Sequence, residues 1–239
     1  MSQDNKERFA DEFGENYDIF HEAVPWHDEF QYSVVKALKE HFGDTKSPLL
    51  LEAGFGTGIT TKMVLDLFPD AKIIAIDNVA NMAEKTKEYV GQDKLQNTQL
   101  VIGDLYEEIK KIPSESIDGF YSGYVLHNIH HEVRAKILAE VYRVLKSGGI
   151  YSNGDRIAMD DPEKQKFALA QAIANCSVFL TKHNDPDYYL DWVRHYLRDE
   201  EPDLIFKAGE QVKQLEEIGF KEVGYVFQKE LEQTCKAIK

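Results

Sequence analysis

The chain has 239 residues and carries 28 basic against 42 acidic side chains, a net charge of −14. This charge disfavours a nucleic-acid partner, and no apolar run reaches the roughly 20 residues of a membrane span, which disfavours a membrane partner. With a hydrophobic share of 43% and a polar start, the composition predicts a cytoplasmic protein with one α/β domain over residues 1–239.

The N-terminal segment has helical patterns. Residues 7–27 mix aromatic and charged side chains and predict short helices broken near Gly14 and Pro25. A longer helix is predicted over residues 28–42, where apolar side chains recur at every fourth position. We interpret residues 1–45 as a helical cap.

An alternation of strand and helix patterns then sets the fold class. Apolar runs predict strands, and patterns with apolar residues every three or four positions lie between them. Such alternation is typical of βαβ units and a parallel sheet. The predicted strands are 49–53, 72–77, 99–102, 117–122 and 149–153, and the predicted helices are 60–68, 79–90 and 132–145.

The last third departs from this alternation. Asp161 and Asp185 each precede a proline, a combination that predicts a helix start, so residues 160–205 are interpreted as an inserted helical lid. A helix over residues 208–218 is predicted to stop at Gly219. Two strand-like runs follow without a helix between them, and they predict an antiparallel hairpin appended to the parallel sheet.

The run LLLEAGFGTGITTKMV, residues 49–64, predicts a ligand loop between the first strand and a helix. Glycines at positions 54, 56 and 58 let a backbone turn sharply and approach a ligand closely. A triphosphate loop would need a Lys-Ser/Thr pair after the glycines, and Lys62 is out of register for it. A dinucleotide loop would need its third glycine one position later. A nicotinamide dinucleotide therefore fits less well than S-adenosylmethionine, although loop spacing alone is weak evidence.

Three acids at strand ends favour S-adenosylmethionine over a nicotinamide dinucleotide. Glu52 interrupts an apolar strand, and a buried carboxylate needs a partner, either a ligand ammonium or a helix end. Asp77 follows the second strand, where a carboxylate accepts hydrogen bonds from ribose hydroxyls. Asp104 follows the third strand and is placed to accept from an adenine amino group.

Six ordered blocks carry a family resemblance: LEAGFGTG, IIAIDNVANMAEKTK, LVIGDLYE, IDGFYSGYVLHNIHH, EVYRVLKSGGIYSNGD and LEEIGFKEVGYVFQKE. With them the chain resembles the class I S-adenosylmethionine-dependent methyltransferases. The resemblance implies a Rossmann-like, seven-stranded, mostly parallel sheet whose last strand is antiparallel. It also implies S-adenosylmethionine as cofactor and methyl transfer to a small organic acceptor at N, O or C.

The resemblance assigns roles to residues. The glycine loop would approach the methionine part of the cofactor, Asp77 would hold the ribose, and Asp104 the adenine edge. The cofactor-binding residues expected in this way are Tyr17, Glu52, Gly54, Gly56, Gly58, Asp77, Asn78, Met82, Asp104, Leu105, Ser122 and Gly123.

The acceptor site is less marked in the sequence. A base helps when the acceptor carries a proton, and His27 and His127 are the catalytic candidates. His127 and His131 are four residues apart, but apart from Glu132 no nearby cysteine or acid completes a metal site, and no metal is predicted. The substrate residues expected near the lid are Trp26, Asp155, Arg156, Trp192 and Tyr196.

Other interpretations remain open at this point. A carboxy-S-adenosylmethionine synthase-like enzyme shares KIIAIDN, VPWHDEF and GFKEVGYVFQ, but its pocket needs an arginine that only Arg194 or Arg198 would supply. A non-catalytic cofactor-binding or scaffolding protein would keep the three acids without an acceptor. The absence of heptad repeats leaves a monomer or a globular homodimer.

Overall fold

A computed structural model describes residues 17–239, and its centre is a seven-stranded sheet of order β3-β2-β1-β4-β5-β7-β6. Strands β1 to β5 are paired in parallel, and β7 runs antiparallel to both β5 and β6. This confirms the predicted fold class, including the terminal hairpin. The strands are β1 Leu49–Ala53, β2 Lys72–Asp77, β3 Thr98–Ile102, β4 Ile117–Gly123, β5 Leu145–Arg156, β6 Lys221–Lys229 and β7 Glu232–Ile238.

Helices cover the sheet and connect its strands. Two are 3₁₀ helices, Tyr17–Ala23 and Leu126–Asn128. None of the helices within residues 17–239 has the length and apolar character needed to cross a bilayer. The α-helices are α1 His27–Phe42, α2 Ile59–Leu67, α3 Met82–Val90, α4 Leu105–Ile109, α5 His131–Val144, α6 Pro162–Asn175, α7 Ser177–Thr181, α8 Pro186–Arg198 and α9 Ala208–Ile218.

Two hydrophobic cores cover the two faces of the sheet. Val34 and Leu38 of α1 are fully buried in a cluster that includes Leu50 of β1. Ile137 and Val141 of α5 belong to the other cluster. Strands covered on both faces read as apolar runs rather than as an alternation, which is why the strand patterns are recognisable in the sequence. Helix α1 thus packs on the sheet, although it falls within the segment interpreted as a cap.

Helix starts depend on local hydrogen bonds. Helix α8 begins as predicted, because the Asp185 side chain accepts a hydrogen bond from the Tyr188 N–H at 2.9 Å. The helix predicted over residues 79–90 starts later, at Met82, and ends as predicted. The Asp77 carboxylate accepts the Val79 N–H at 2.9 Å and holds a turn ahead of the helix. The helix that starts after Asp161 ends at Asn175, and a second short helix, α7, follows it with Cys176 between the two.

A third hydrophobic cluster joins the N-terminal 3₁₀ helix to the segment interpreted as a lid. Phe20 stacks on Trp192 of α8 with ring centroids 3.9 Å apart, and Phe179 of α7 lies in the same cluster. Tyr124, which follows β4, belongs to it too. The two segments therefore meet beside the carboxyl end of β4, where βα loops of a parallel sheet bind ligands.

Candidate functional site

The larger cavity, here the first cavity, lies where the strand order reverses. Strand β1 pairs with β2 on one side and β4 on the other, so the loops after these strands diverge and leave a crevice. The free space of this cavity is about 120 Å³, about twelve times that of the smaller cavity described below, at about 10 Å³. Its walls include the glycine loop, the end of β2 and the turn after β4.

The glycine loop adopts a conformation that other residues resist. Gly54 and Gly58 have φ angles of +67° and +92°. A Cβ at position 54 would lie 2.2 Å from the Val125 Cγ2 atom, and one at position 58 would lie 2.8 Å from the Val90 Cγ2 atom. Both glycines are thus required by backbone conformation and by close packing, and the loop keeps the backbone open to the first cavity.

Asp77 ties this loop to β2. Its carboxylate accepts hydrogen bonds from the Gly56 and Val79 N–H groups, each at 2.9 Å. The side chain is 9% exposed, and burial raises its pKa. The Asn78 N–H also interacts with this carboxylate, and because an ionised carboxylate has about four lone-pair sites, at least one remains for a hydroxyl group of a ligand in the first cavity.

The structure separates the predicted cofactor residues into two groups. A nucleoside with an amino-acid chain fits the first group: a glycine backbone at one end, and a carboxylate with the apolar Met82 and Leu105 at the other. The roles assigned to both groups stay predictions. The predicted residues that line the first cavity are Gly54, Gly56, Asp77, Asn78, Met82, Leu105 and Gly123. Those outside its lining are Glu52, Gly58, Asp104 and Ser122, while the side chain of Tyr17 falls outside the described residues.

Three of the residues outside the lining lie next to it. Asp104 caps α4 by accepting the Glu107 N–H at 3.2 Å, and its neighbours Gly103 and Leu105 line the cavity. Gly58 precedes α2 within the glycine loop. Ser122 is fully buried on β4, and its hydroxyl has no hydrogen-bond partner among the described residues.

Glu52 is held inside the protein rather than at the cavity. The Thr61 and Tyr121 hydroxyls donate to its carboxyl oxygen Oε2 at 2.7 and 2.9 Å. The side chain is 1% exposed, and burial raises its pKa from 4.5 to about 8. At neutral pH the group is therefore held mainly in its protonated, uncharged form.

We expect Glu52 to make stability depend on pH. The unfolded chain ionises Glu52 near its ordinary pKa of 4.5, whereas the folded chain keeps the proton up to about 8. The contribution is therefore fully present below pH 4.5 and is lost as pH rises through that window. In Glu52→Gln, the fall in Tm between pH 5 and pH 8 should be smaller than in the parent protein, as measured by calorimetry. Glu29→Gln, an exposed change on α1, is the control, and equal falls in all three proteins would contradict this account.

A smaller cavity, here the second cavity, shares a wall with the first. Its free space is about 10 Å³, and Tyr124 and Asn128 line both cavities. Aromatic rings form one side and nitrogen-bearing side chains the other. The residues that line it are Phe20, Tyr124, His127, Asn128, Arg156, Trp192 and His195.

His127 is fixed in the second cavity by Asp155. Its Nδ1 atom and an Asp155 carboxylate oxygen form a close contact, and the other Asp155 oxygen accepts the Leu126 and His127 backbone N–H groups at 2.8 and 3.2 Å. Asp155 is fully buried and His127 is 4% exposed. With Nδ1 occupied, the Nε2 atom is the ring nitrogen left to interact with a ligand.

The other predicted substrate residues lie at different depths. Trp192 and Arg156 line the second cavity. The Arg156 guanidinium packs against the face of the Tyr196 ring, 3.8 Å from its centre. Trp26 donates from its indole nitrogen to Glu232 at 3.0 Å. His27, the other catalytic candidate, is stacked near Tyr124 at 6.3 Å and lines neither cavity.

Several residues of this region were not predicted. Tyr124 separates the two cavities and has a φ of +59°, a conformation rare for a bulky side chain. Gln31 accepts a hydrogen bond from Thr60 at 2.7 Å, and both line the first cavity. His195 and Asp199 belong to the lid segment. Their four-residue spacing could have indicated that the two side chains lie on the same side of the chain. Their approach to His127 depends on tertiary packing, which the spacing does not show.

Sequence comparisons point in one direction. Residues 50–149, less than half of the chain, match a family model described as a methyltransferase domain. Over 115 residues the chain is 27% identical to an uncharacterized chloroplastic methyltransferase of Arabidopsis thaliana, a match covering 47% of this chain and 32% of that protein. Over 101 residues it is 26% identical to a carboxy-S-adenosyl-L-methionine synthase of Trichlorobacter lovleyi, covering 42% of this chain and 41% of that protein.

The structural comparison extends over more of the chain. A SAM-dependent methyltransferase of Aquifex aeolicus superposes with a TM-score of 0.56 at 19% identity, covering 86% of this chain and 88% of that one. Similarity at this identity establishes the shared fold. The chain matches less than half the length of either curated relative named above, so their activities do not transfer to it directly.

Proposed function

Since the chain carries a class I S-adenosylmethionine-dependent methyltransferase domain, we propose that the protein transfers a methyl group to a small organic acceptor held in the second cavity. The family model confirms the resemblance read from the sequence and, with it, S-adenosylmethionine as the cofactor. The acceptor, its size and its position are our proposals.

The observation that carries this proposal is the shared wall of the two cavities. Tyr124 and Asn128 line both, so a cofactor in the first cavity and an acceptor in the second would be neighbours. The free space of the second cavity is only about 10 Å³, about what one water molecule needs, so the acceptor group that reaches into it must be small.

The chain's own residues have three tasks in this proposal. S-adenosylmethionine, when bound, supplies a methyl group on a positively charged sulfur, so alignment and exclusion of water are the main needs. The stacked Phe20 and Trp192 close the second cavity on one side and exclude water. His127, fixed by Asp155, presents Nε2 to the acceptor and activates it.

The main competing function is that of the carboxy-S-adenosyl-L-methionine synthases, one of which is among the relatives. The arginine that such a pocket needs was expected from Arg194 or Arg198, but Arg194 is exposed and pairs with Asp191 at 2.8 Å. Arg156 lines the second cavity instead, so an acceptor with a carboxylate remains compatible with methyl transfer as well.

The test is a titration followed by an acceptor screen. Isothermal calorimetry of the purified protein with S-adenosylhomocysteine should show one site per chain, and NAD in parallel should show none. If S-adenosylhomocysteine binds, the protein should then be incubated with labelled S-adenosylmethionine and with separate pools of phenols, amines, carboxylic acids and tRNA. Label transfer to tRNA alone would overturn the small-acceptor proposal. Cofactor binding without transfer to any pool would favour a scaffolding protein, and carboxylation of the cofactor with prephenate would favour the synthase.

A further inference from the structure

Three potential metal ligands converge beside the second cavity, which two of them, His127 and His195, line. The Nε2 atoms of His127 and His195 lie 3.8 and 3.7 Å from the Asp199 Oδ2 atom. One ligand atom from each of the three side chains lies within 4.8 Å of the other two. The centre of such a triangle is within about 2.4 Å of every corner, close to the 2.0–2.2 Å of zinc–nitrogen and zinc–oxygen bonds. We propose that these residues bind a divalent transition-metal ion.

The separations favour an ion over direct hydrogen bonds. Each imidazole nitrogen is farther from Asp199 Oδ2 than a hydrogen bond allows. Asp199 is 8% exposed, and its Oδ2 atom is paired with the Arg156 guanidinium at 2.7 Å. The two imidazole nitrogens that face the same oxygen are too far away to share a hydrogen bond with it, and a metal ion at the centre of the triangle would bridge all three atoms.

The surroundings of His127 have the form found around metal-bound imidazoles. Asp155 contacts the Nδ1 atom, so Nε2 is the atom directed to the proposed ion. A carboxylate on the far nitrogen fixes the ring and makes it a better ligand. His195 lies on α8, and Asp199 is the residue that directly follows this helix, one helical turn after His195.

Arg156 sets a limit on the affinity of this site. Its Nη2 atom lies 2.7 Å from the same Asp199 oxygen, so a metal ion would share that oxygen with a guanidinium. The guanidinium is held by the Tyr196 ring and donates to the Tyr196 carbonyl at 3.3 Å, which keeps it on its own side of Asp199. We therefore expect weaker binding than in a closed structural zinc site.

The position of the ion indicates an acceptor class. Three protein ligands leave coordination positions open, as in catalytic metal sites, and the second cavity beside His127 and His195 has room for about one water-sized group. A metal ion there would bind an acceptor oxygen and lower its pKa. This inference about the acceptor rests on the proposed function, and it limits the acceptor to a small molecule with a hydroxyl, phenol or carboxyl oxygen.

The experiment measures metal binding without reference to turnover. Chelator-treated protein is incubated with Zn²⁺ or Co²⁺, desalted and analysed for metal content, and the Co²⁺ form is examined by visible absorption. We expect one ion per chain and Co²⁺ bands of a nitrogen- and oxygen-ligated site. His195→Gln and Asp199→Asn should each weaken binding by more than about tenfold, since even loss of an outer-shell partner costs that much. His41→Gln, at the end of α1, should bind as the parent protein does.

The outcomes separate this inference from the proposed function. Retention of no ion, or equal retention in all four proteins, overturns the metal site. The same samples are titrated with S-adenosylhomocysteine: binding by metal-free protein, together with methyl transfer in the presence of chelator, rejects the metal and keeps the methyltransferase. A retained ion without S-adenosylhomocysteine binding rejects the methyltransferase and keeps the metal site. Thermal melts of each variant show whether a loss reflects unfolding; if His195→Gln is unfolded, the Co²⁺ spectrum of Asp199→Asn decides.

Discussion

Asp77→Asn is expected to weaken S-adenosylhomocysteine binding by about 100-fold. The carboxylate accepts the Gly56 and Val79 N–H groups and has at least one lone pair left for a ribose. An amide has one acceptor oxygen, so its NH₂ group must face a donor, either a backbone N–H or a ligand hydroxyl. Hydrogen bonds to charged groups contribute about 1.5–3 kcal/mol each, and loss of one or two gives a factor of this size. Calorimetric titration well below the melting temperature measures it.

The control for Asp77 is Asp70→Asn, an exposed change ahead of β2, which should bind as the parent protein does. A fall in Tm is also expected for Asp77→Asn, because the glycine loop loses its attachment to β2. If Tm falls while the affinity stays within twofold of the parent value, Asp77 only anchors the loop, and its predicted contact with the ribose is wrong.

The fold was predictable because its signals are local. Four of the five parallel strands are largely buried runs such as LLLEA, and the helices between the strands repeat their apolar residues every three or four positions. The glycine loop was recognisable for a similar reason, since the positive φ angles at positions 54, 56 and 58 favour glycine. Local chemistry also placed the start of α8, where an aspartate precedes a proline.

The second cavity could not be predicted in the same way. His127 comes from the 3₁₀ helix after β4, Arg156 from the end of β5, and His195 from α8. Their meeting depends on how the lid helices pack on the sheet, and no spacing in the sequence encodes that. For Glu52 the sequence predicts a buried acid that needs a partner. It does not predict that the partners are two hydroxyl groups on neighbouring elements.

His127→Gln is expected to lower turnover by at least about 100-fold while S-adenosylhomocysteine affinity stays within twofold of the parent value. General acid–base assistance by one side chain contributes about 10²–10⁴-fold. If Nε2 binds the proposed ion instead of acting as a base, the same substitution removes a metal ligand and with it metal activation of the acceptor. His127 lines the second cavity and not the first, so the cofactor contacts are untouched. Single-turnover methyl transfer to an acceptor found in the screen measures the first quantity, and calorimetry the second.

The matched control for His127 is His41→Gln, because His41 lies at the end of α1, outside both cavities. Glutamine keeps a polar group of similar length at position 127, so Asp155 retains a donor and the buried network is not left with an unpaired carboxylate. Equal loss of turnover and cofactor affinity, with a lower Tm, would mean that the His127–Asp155 pair supports the turn after β4 rather than the reaction. Unchanged turnover would place the acceptor elsewhere, and the shared wall formed by Tyr124 and Asn128 would then have no bearing on methyl transfer.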